Sequence, residues 1–204
     1  VTSTLQRYQR IAPLYDLLDL PFEYSRYRRI RPLLFDGMSG RILDAGVGTG
    51  RNALFYPRGA SVVGIDFSAA MLARAERRRA QSAAPIELRE MDVTNLDFSP
   101  AFFDAAVATF LFCVLANDQQ VTALRELRRV VRPGGIIRLL EYVRPRNQLR
   151  RLSVAIWQPW VSWAYGAGFD RNTAAHIPAA GLELLDARFV VDDLIQLLTV
   201  RVPE

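Results

Sequence analysis

The chain has 204 residues, half of them apolar, enough for one domain with a sizeable core and incompatible with a disordered tail. A single cysteine, Cys113, excludes an internal disulfide, and with only one histidine beside it a zinc site has no ligand set, so no metal is expected. The net charge of +5 comes entirely from arginine, lysine being absent, and favours anionic partners: nucleic acid, acidic substrates or the anionic face of a membrane.

Residues 1–35 read as helices. Leu5, Tyr8, Ile11 and Ala12 share one helical face with Arg7 and Arg10 elsewhere, Pro13 interrupts, and Leu14 to Leu18 begins a second apolar element. Glu23 to Phe35 then carries Tyr24, Tyr27, Arg26, Arg28, Arg29 and Arg31. At Ile42-Leu43-Asp44-Ala45-Gly46-Val47-Gly48-Thr49-Gly50 a buried strand ends in three alternating glycines, which let the backbone turn sharply and pass close to a ligand. A helix is expected over 51–57, its free N–H groups facing whatever covers the loop. Two phosphate-binding fingerprints fail here: the dinucleotide pattern needs glycine at position 51, which is Arg51, and the P-loop needs a lysine. Asp44 repels a pyrophosphate but suits ammonium or hydroxyl groups. A second strand, Ser61 to Ile65, ends in Asp66, about 20 residues beyond Gly46 and placed to accept both ribose hydroxyls of a nucleoside.

From Gly40 onward strands and helices alternate, which implies a parallel sheet covered on both faces. Strands are expected at 41–45, 61–65, 86–90, 104–109 and 136–141, and helices at 51–57, 69–80 and 118–131. Ser68 is positioned to cap the second helix, and Arg74, Arg77, Arg78 and Arg79 to solvate it rather than bind nucleic acid. Asn172 to Ala180 fits a helix ended by Gly181. His176 on that helix is a tempting base, but a lone histidine at a helix end is usually structural.

The glycine loop followed by Asp66 resembles the class I S-adenosylmethionine (SAM) methyltransferases. The resemblance implies a Rossmann-like, doubly wound α/β fold with a seven-stranded, mostly parallel sheet, closed by an antiparallel hairpin that 182–190 and 194–202 fit so that the last strand is antiparallel, and an N-terminal helical lid. It also implies SAM as cofactor, S-adenosylhomocysteine (SAH) as product, and a cofactor site of Tyr15, Asp44, Gly46, Gly48, Gly50, Asp66, Phe67, Met71, Asp92, Val93 and Thr109. Asp92 would take the adenine amino group, with Met91 or Val93 against the ring; an ordinary loop aspartate is the competing explanation. The letters Asp-Pro-Pro-Tyr that mark methylation of adenine or glutamine nitrogens are missing after the fourth strand, which argues against a nucleic-acid substrate. The phrase Tyr8-x-x-Ile11-Ala12-Pro13-x-Tyr15-Asp16 looks like the lid of bacterial phospholipid N-methyltransferases and quinone C-methyltransferases, although a helix capping the sheet accounts for the same residues.

Between the fifth strand and the last helix, Arg144, Arg146, Arg150 and Arg151 precede Trp157, Trp160 and Trp163, all the tryptophans of the chain, at three-residue spacing. Aromatic rings beside basic residues suit a membrane interface, with core packing as the alternative and Pro159 as a possible break. The expected organisation is one domain over 1–204: lid 1–35, cofactor core 40–141, interfacial insertion 142–170, and C-terminal helix and hairpin 171–204. With no signal peptide visible and no run of about 18 apolar residues, the expectation is a cytoplasmic monomer at the inner face of an anionic membrane. It would methylate phosphatidylethanolamine and its methylated intermediates, or alternatively a quinone precursor or another lipophilic acceptor. Tyr15 and Tyr142 are the expected catalytic residues, with Tyr8, Arg144, Arg146 and the tryptophans facing lipid.

Overall fold

A computed structural model of the chain describes residue 20, residues 22–165, residue 168 and residues 171–204, the side chains of 157 and 160–165 excepted. The expected lid positions Tyr8 and Tyr15, and the side chains of Trp157, Trp160 and Trp163, lie outside the described residues.

Among the described residues the strands are β1 (Arg41–Ala45), β2 (Ser61–Asp66), β3 (Ile86–Glu90), β4 (Phe103–Thr109), β5 (Val131–Tyr142), β6 (Glu183–Val191) and β7 (Ile195–Arg201). They make one sheet in the order β3-β2-β1-β4-β5-β7-β6, with β1 to β5 parallel and β7 antiparallel to both of its neighbours. The central strands β1, β2 and β4 are buried along nearly their whole length, because both faces of the sheet are covered.

Alternation divides the core in two. Leu43, Ile65, Ala106 and Leu139 pack with Leu124 and Leu127 of the helix α2 (Asn117–Val130). Ile42, Val62, Ala105 and Val107 face Ile30, Leu34, Phe35 and Tyr56. Asp44 has the parity of Ile42, so its carboxylate lies on the side of the N-terminal segment. That segment is a π-helical turn Glu23–Tyr27 continued by helical turns Arg28–Ile30 and Pro32–Phe35. The remaining helices are α1 (Ala69–Arg78), α3 (Gln148–Tyr165) and α4 (Thr173–His176).

Several expected elements differ. The helix expected over 51–57 is a single 3₁₀ turn, Arg51–Phe55; Pro57 and Gly59 close it before a regular helix forms. β5 begins at Val131 rather than 136, because Gly134 (φ 71°) lets the chain bulge and keep pairing from Phe103↔Val131 to Ala105↔Ile136. α3 runs through Pro159 instead of breaking there. Ser68 occupies the position before α1, but its hydroxyl makes no capping bond and is buried without a partner among the described residues. Arg78 does not merely solvate α1: it reaches back to the carbonyl of Thr49 in the glycine loop.

Candidate cofactor and acceptor cleft

The strand order reverses between β1 and β4, and ligands in doubly wound sheets lie beyond the carboxyl ends at such a point. A cavity of about 300 Å³ opens there, lined by Gly46, Gly48, Asp66, Phe67, Met71, Asp92, Val93 and Thr109 of the expected cofactor set, together with Met91, Phe110, Leu111, Val114, Leu115, Ala116, Gln119 and Arg171. The remaining described members of the set, Asp44 and Gly50, are buried and are not among its lining residues. Gly46, Gly48 and Gly50 all have positive φ (71°, 55° and 78°). A Cβ on Gly46 would meet Leu111 at 2.9 Å, and one on Gly50 would meet the backbone of Ala75 at 2.9 Å, so the loop presses against both walls.

Asp66 accepts the amides of Gly48 (3.0 Å) and Ser68 (2.9 Å), which aims its carboxylate across the loop. Burial pushes its pKa up to about 6 despite these bonds. Asp92 is more exposed, and its Oδ1 accepts the amide and hydroxyl of Thr94 at 2.8 and 2.7 Å.

Asp44 is fully buried, and the loss of solvent raises its pKa to about 6 against the hydrogen bonds of Tyr56 and Asn52. The Tyr56 hydroxyl (2.5 Å) and Asn52 Nδ2 (2.9 Å) both donate to Oδ2, while Oδ1 has no partner among the described residues. Asn52 also donates to Thr109 Oγ1 (3.1 Å) and accepts from Arg31 Nη1 (2.8 Å). Arg31 is itself paired with buried Glu23 at 2.9 Å. A continuous polar chain thus runs Glu23–Arg31–Asn52–Asp44–Tyr56, from the N-terminal turn to the base of the glycine loop.

At the end of β5, Glu141 accepts three amides, those of Leu111 (3.0 Å) and Phe112 (2.9 Å) on Oε1 and that of Cys113 (3.0 Å) on Oε2. Burial raises its pKa to about 7. These bonds fix the loop after β4, where Phe110 takes a left-handed conformation (φ 54°) that bulky residues rarely adopt. The Phe110 ring stacks on Tyr142 (4.8 Å between centroids) and tilts against Tyr27 (5.0 Å), which in turn stacks on Phe22 (6.2 Å). The hydroxyls of Tyr27 and Tyr142 are hydrogen-bonded to each other.

Tyr142 does not line the cavity; it stacks on Phe110, which does. Arg144 and Arg146 do not line it. The Arg146 amide binds Asp193 at 2.7 Å and its guanidinium lies 5.9 Å over Phe189, at the hairpin rather than over the cofactor loop. His176 is likewise absent from the cleft wall. Sequence reasoning missed Glu23, Arg31, Asn52, Tyr56, Glu141 and Arg171 as site residues. Glu141 had one signal, a carboxylate ending an otherwise apolar strand.

A parallel sheet with a glycine loop and two buried carboxylates at its reversal point defines a nucleoside-binding, doubly wound domain. The comparisons make this specific. Residues 42–135 match the methyltransferase domain family. A phosphatidylethanolamine N-methyltransferase from Cereibacter sphaeroides is 36% identical over 140 residues, covering 66% of this chain and 68% of that protein. The ubiquinone/menaquinone biosynthesis C-methyltransferase UbiE of Syntrophotalea carbinolica is 39% identical over 156 residues, 72% of this chain and 64% of that one, so about a third of each relative lies outside the match. Among solved structures, the DhpI–SAH complex superimposes with a TM-score of 0.72 over 100% of this chain and 97% of that one at 21% identity, a likeness of fold. The chain belongs to the SAM-dependent methyltransferases.

Its cofactor is SAM. The cleft fits that group: Asp66 in its wall suits vicinal hydroxyls and the side-chain-free loop admits a close ligand, while Asp44, buried at the end of β1, keeps Oδ1 unpartnered among the described residues.

Proposed function

We propose that the chain transfers methyl groups from SAM to the amine of phosphatidylethanolamine and its partly methylated products at an anionic membrane surface, toward phosphatidylcholine. The observation that carries this reading is the aromatic wall of Phe22, Tyr27, Phe110 and Tyr142 beside the cleft. Ring faces attract an ammonium, and attract the methylated cation equally well once it can no longer donate hydrogen bonds. Bound SAM supplies a methyl group on a positively charged sulfur. The residues' task is alignment: Asp44 and Asp66 would hold the cofactor's polar ends, Asp92 its base, and the glycine loop its chain, while Phe110 and Tyr142 orient the acceptor. The hydroxyls of Tyr27 and Tyr142, bonded to each other, would orient the acceptor. By the resemblance, Tyr15 and Tyr8 would complete the lid.

The membrane part of the reading draws on α3. Leu149, Leu152 and Ile156 are 79%, 62% and 69% exposed at helical spacing, beside Arg150 and Arg151. Such a face partitions into an interface and is drawn to anionic lipid. Among the described residues no helix is long and apolar enough to cross a membrane. The reading takes the chain as a monomer with no nucleic-acid partner.

A second reading, C-methylation of a quinone precursor, draws on the likeness to UbiE. Ring methylation needs a base, and Glu141, the carboxylate at the end of β5, has both oxygens occupied by backbone amides. The experiment is incubation of purified protein with radiolabelled SAM and vesicles of phosphatidylethanolamine mixed with an anionic lipid. Labelled mono-, di- or trimethylated lipid is expected; no labelled lipid, with SAH binding intact, rejects the lead reading.

A further inference from the structure

The glycine loop is held from behind by a side chain that is not part of the cavity wall. Asn52 lies in the 3₁₀ turn that follows the loop and is 2% exposed. Its Nδ2 donates both to Asp44 Oδ2 at 2.9 Å and to Thr109 Oγ1 at 3.1 Å. Asp44 stands two residues before Gly46, and Thr109 ends β4 in the cavity wall. One amide group thus ties the exit of the loop to its entrance and to the neighbouring strand across the reversal point.

A primary amide can face either way, and here Arg31 sets the choice. Its Nη1 donates to Asn52 Oδ1 at 2.8 Å, while Glu23 takes Nε and Nη2 at 2.9–3.2 Å. The reversed amide would set its NH2 against the guanidinium and its oxygen against the Asp44 carboxylate. The planar fork of one arginine therefore links the N-terminal segment, through Asn52, to the loop and strand end that form the cofactor cavity.

We propose that Asn52 and Arg31 are positioning residues for cofactor binding. Arg31 fixes Asn52, and Asn52 fixes the glycine loop, so seating of the N-terminal segment and occupation of the cavity favour each other. Such coupling is reciprocal: bound SAH steadies the N-terminal segment as much as that segment steadies the SAH site. The coupling concerns the cofactor alone and holds whichever acceptor is methylated.

The test is calorimetric titration with SAH of the wild type, Asn52→Leu, Arg31→Lys, Arg31→Met and Glu23→Leu/Arg31→Met, each checked for folding by its melting curve. Asn52→Leu is expected to bind SAH about tenfold or more weakly, the worth of one or two hydrogen bonds. Arg31→Lys keeps the charge but has no fork to hold Glu23 and Asn52 together, so its affinity falls between. The double variant separates position from stability: it regains part of the stability lost in Arg31→Met, yet binds SAH no better. Hydrogen exchange adds a readout that simple bracing of the fold would not move. The amides of Arg31 and Leu34, bonded to the carbonyls of Tyr27 and Arg31, are expected to exchange more slowly in the wild type once SAH is bound. In Asn52→Leu at saturating SAH that slowing is absent. Unchanged SAH affinity in Asn52→Leu, affinity recovered along with stability in the double variant, or equal slowing in the wild type and Asn52→Leu each overturns the coupling. Should Asn52→Leu not fold, wild-type SAH affinity in Arg31→Lys overturns it instead.

Discussion

Asp44 is sealed from solvent with one oxygen unpartnered among the described residues, and Asp66 stands in the cavity wall with a backbone amide on each oxygen. Burial raises both pKa values to about 6, so at neutral pH the ligand-free protein holds two charges it would rather neutralise. The folded pKa values exceed the ordinary value near 4, so the folded state binds more protons than the unfolded chain between those limits. This contribution to stability is fully present below about pH 4 and is lost as pH rises through about 6. Melting of the ligand-free protein is therefore expected at a higher temperature at pH 5.5 than at pH 7.5. SAH needs the ionised carboxylates, so its affinity is expected to be flat above pH 7 and to fall as pH drops through 6. Titrations at matched ionic strength check both, and an SAH affinity independent of pH between 5 and 8 contradicts the assignment. Asp44 and Asp66 were legible in the sequence because backbone geometry ties them to the glycines. Asn52, Tyr56 and Arg31 were not, since their roles come from contacts spanning 8, 12 and 21 positions with no periodic mark.

The N-terminal π-helical turn depends on the Glu23–Arg31 pair, both members less than a tenth exposed. Removing Arg31 leaves buried Glu23 with Arg51 at 3.9 Å, so Arg31→Met is expected to cost about 3–5 kcal/mol, and Glu23→Leu/Arg31→Met, which also strips Arg51 of Glu23, to recover part of it. Chemical denaturation of the single and double variants measures this; equal losses in both would mean the pair acts only through Asn52. The strands, α1 and α2 were legible because their apolar periods are long and bounded by glycine and proline. The 3₁₀ turn after the loop was not, because helix and single turn share the same letters over five residues. The early start of β5 depended on a bulge at Gly134 that only the partner strand reveals. α3 presents Leu149, Leu152 and Ile156 outward, and their replacement by serine is expected to weaken binding to anionic vesicles about tenfold or more, leaving SAH affinity unchanged. Undiminished vesicle binding would return that face to another role.

For the whole molecule, a doubly wound sheet positions a cofactor at one reversal point, and everything that distinguishes an acceptor is attached around it. The N-terminal turn, the loop after β4, the start of α2 and the end of β5 converge there from residues 22 to 171. The class of the fold could be read from the alternation of elements and the carboxylates around the glycines; the proposed acceptor side could not, because it is assembled from irregular segments far apart in the chain. The relatives divide between a lipid amine and a ring carbon as acceptor, so the decisive measurement offers both. Vesicles containing anionic lipid, phosphatidylethanolamine and a demethylated menaquinol are incubated with the protein and labelled SAM, and the products separated. The account predicts label in methylated phosphatidylethanolamine, suppressed by added monomethylated lipid and indifferent to the quinol. Label confined to the quinol would contradict it.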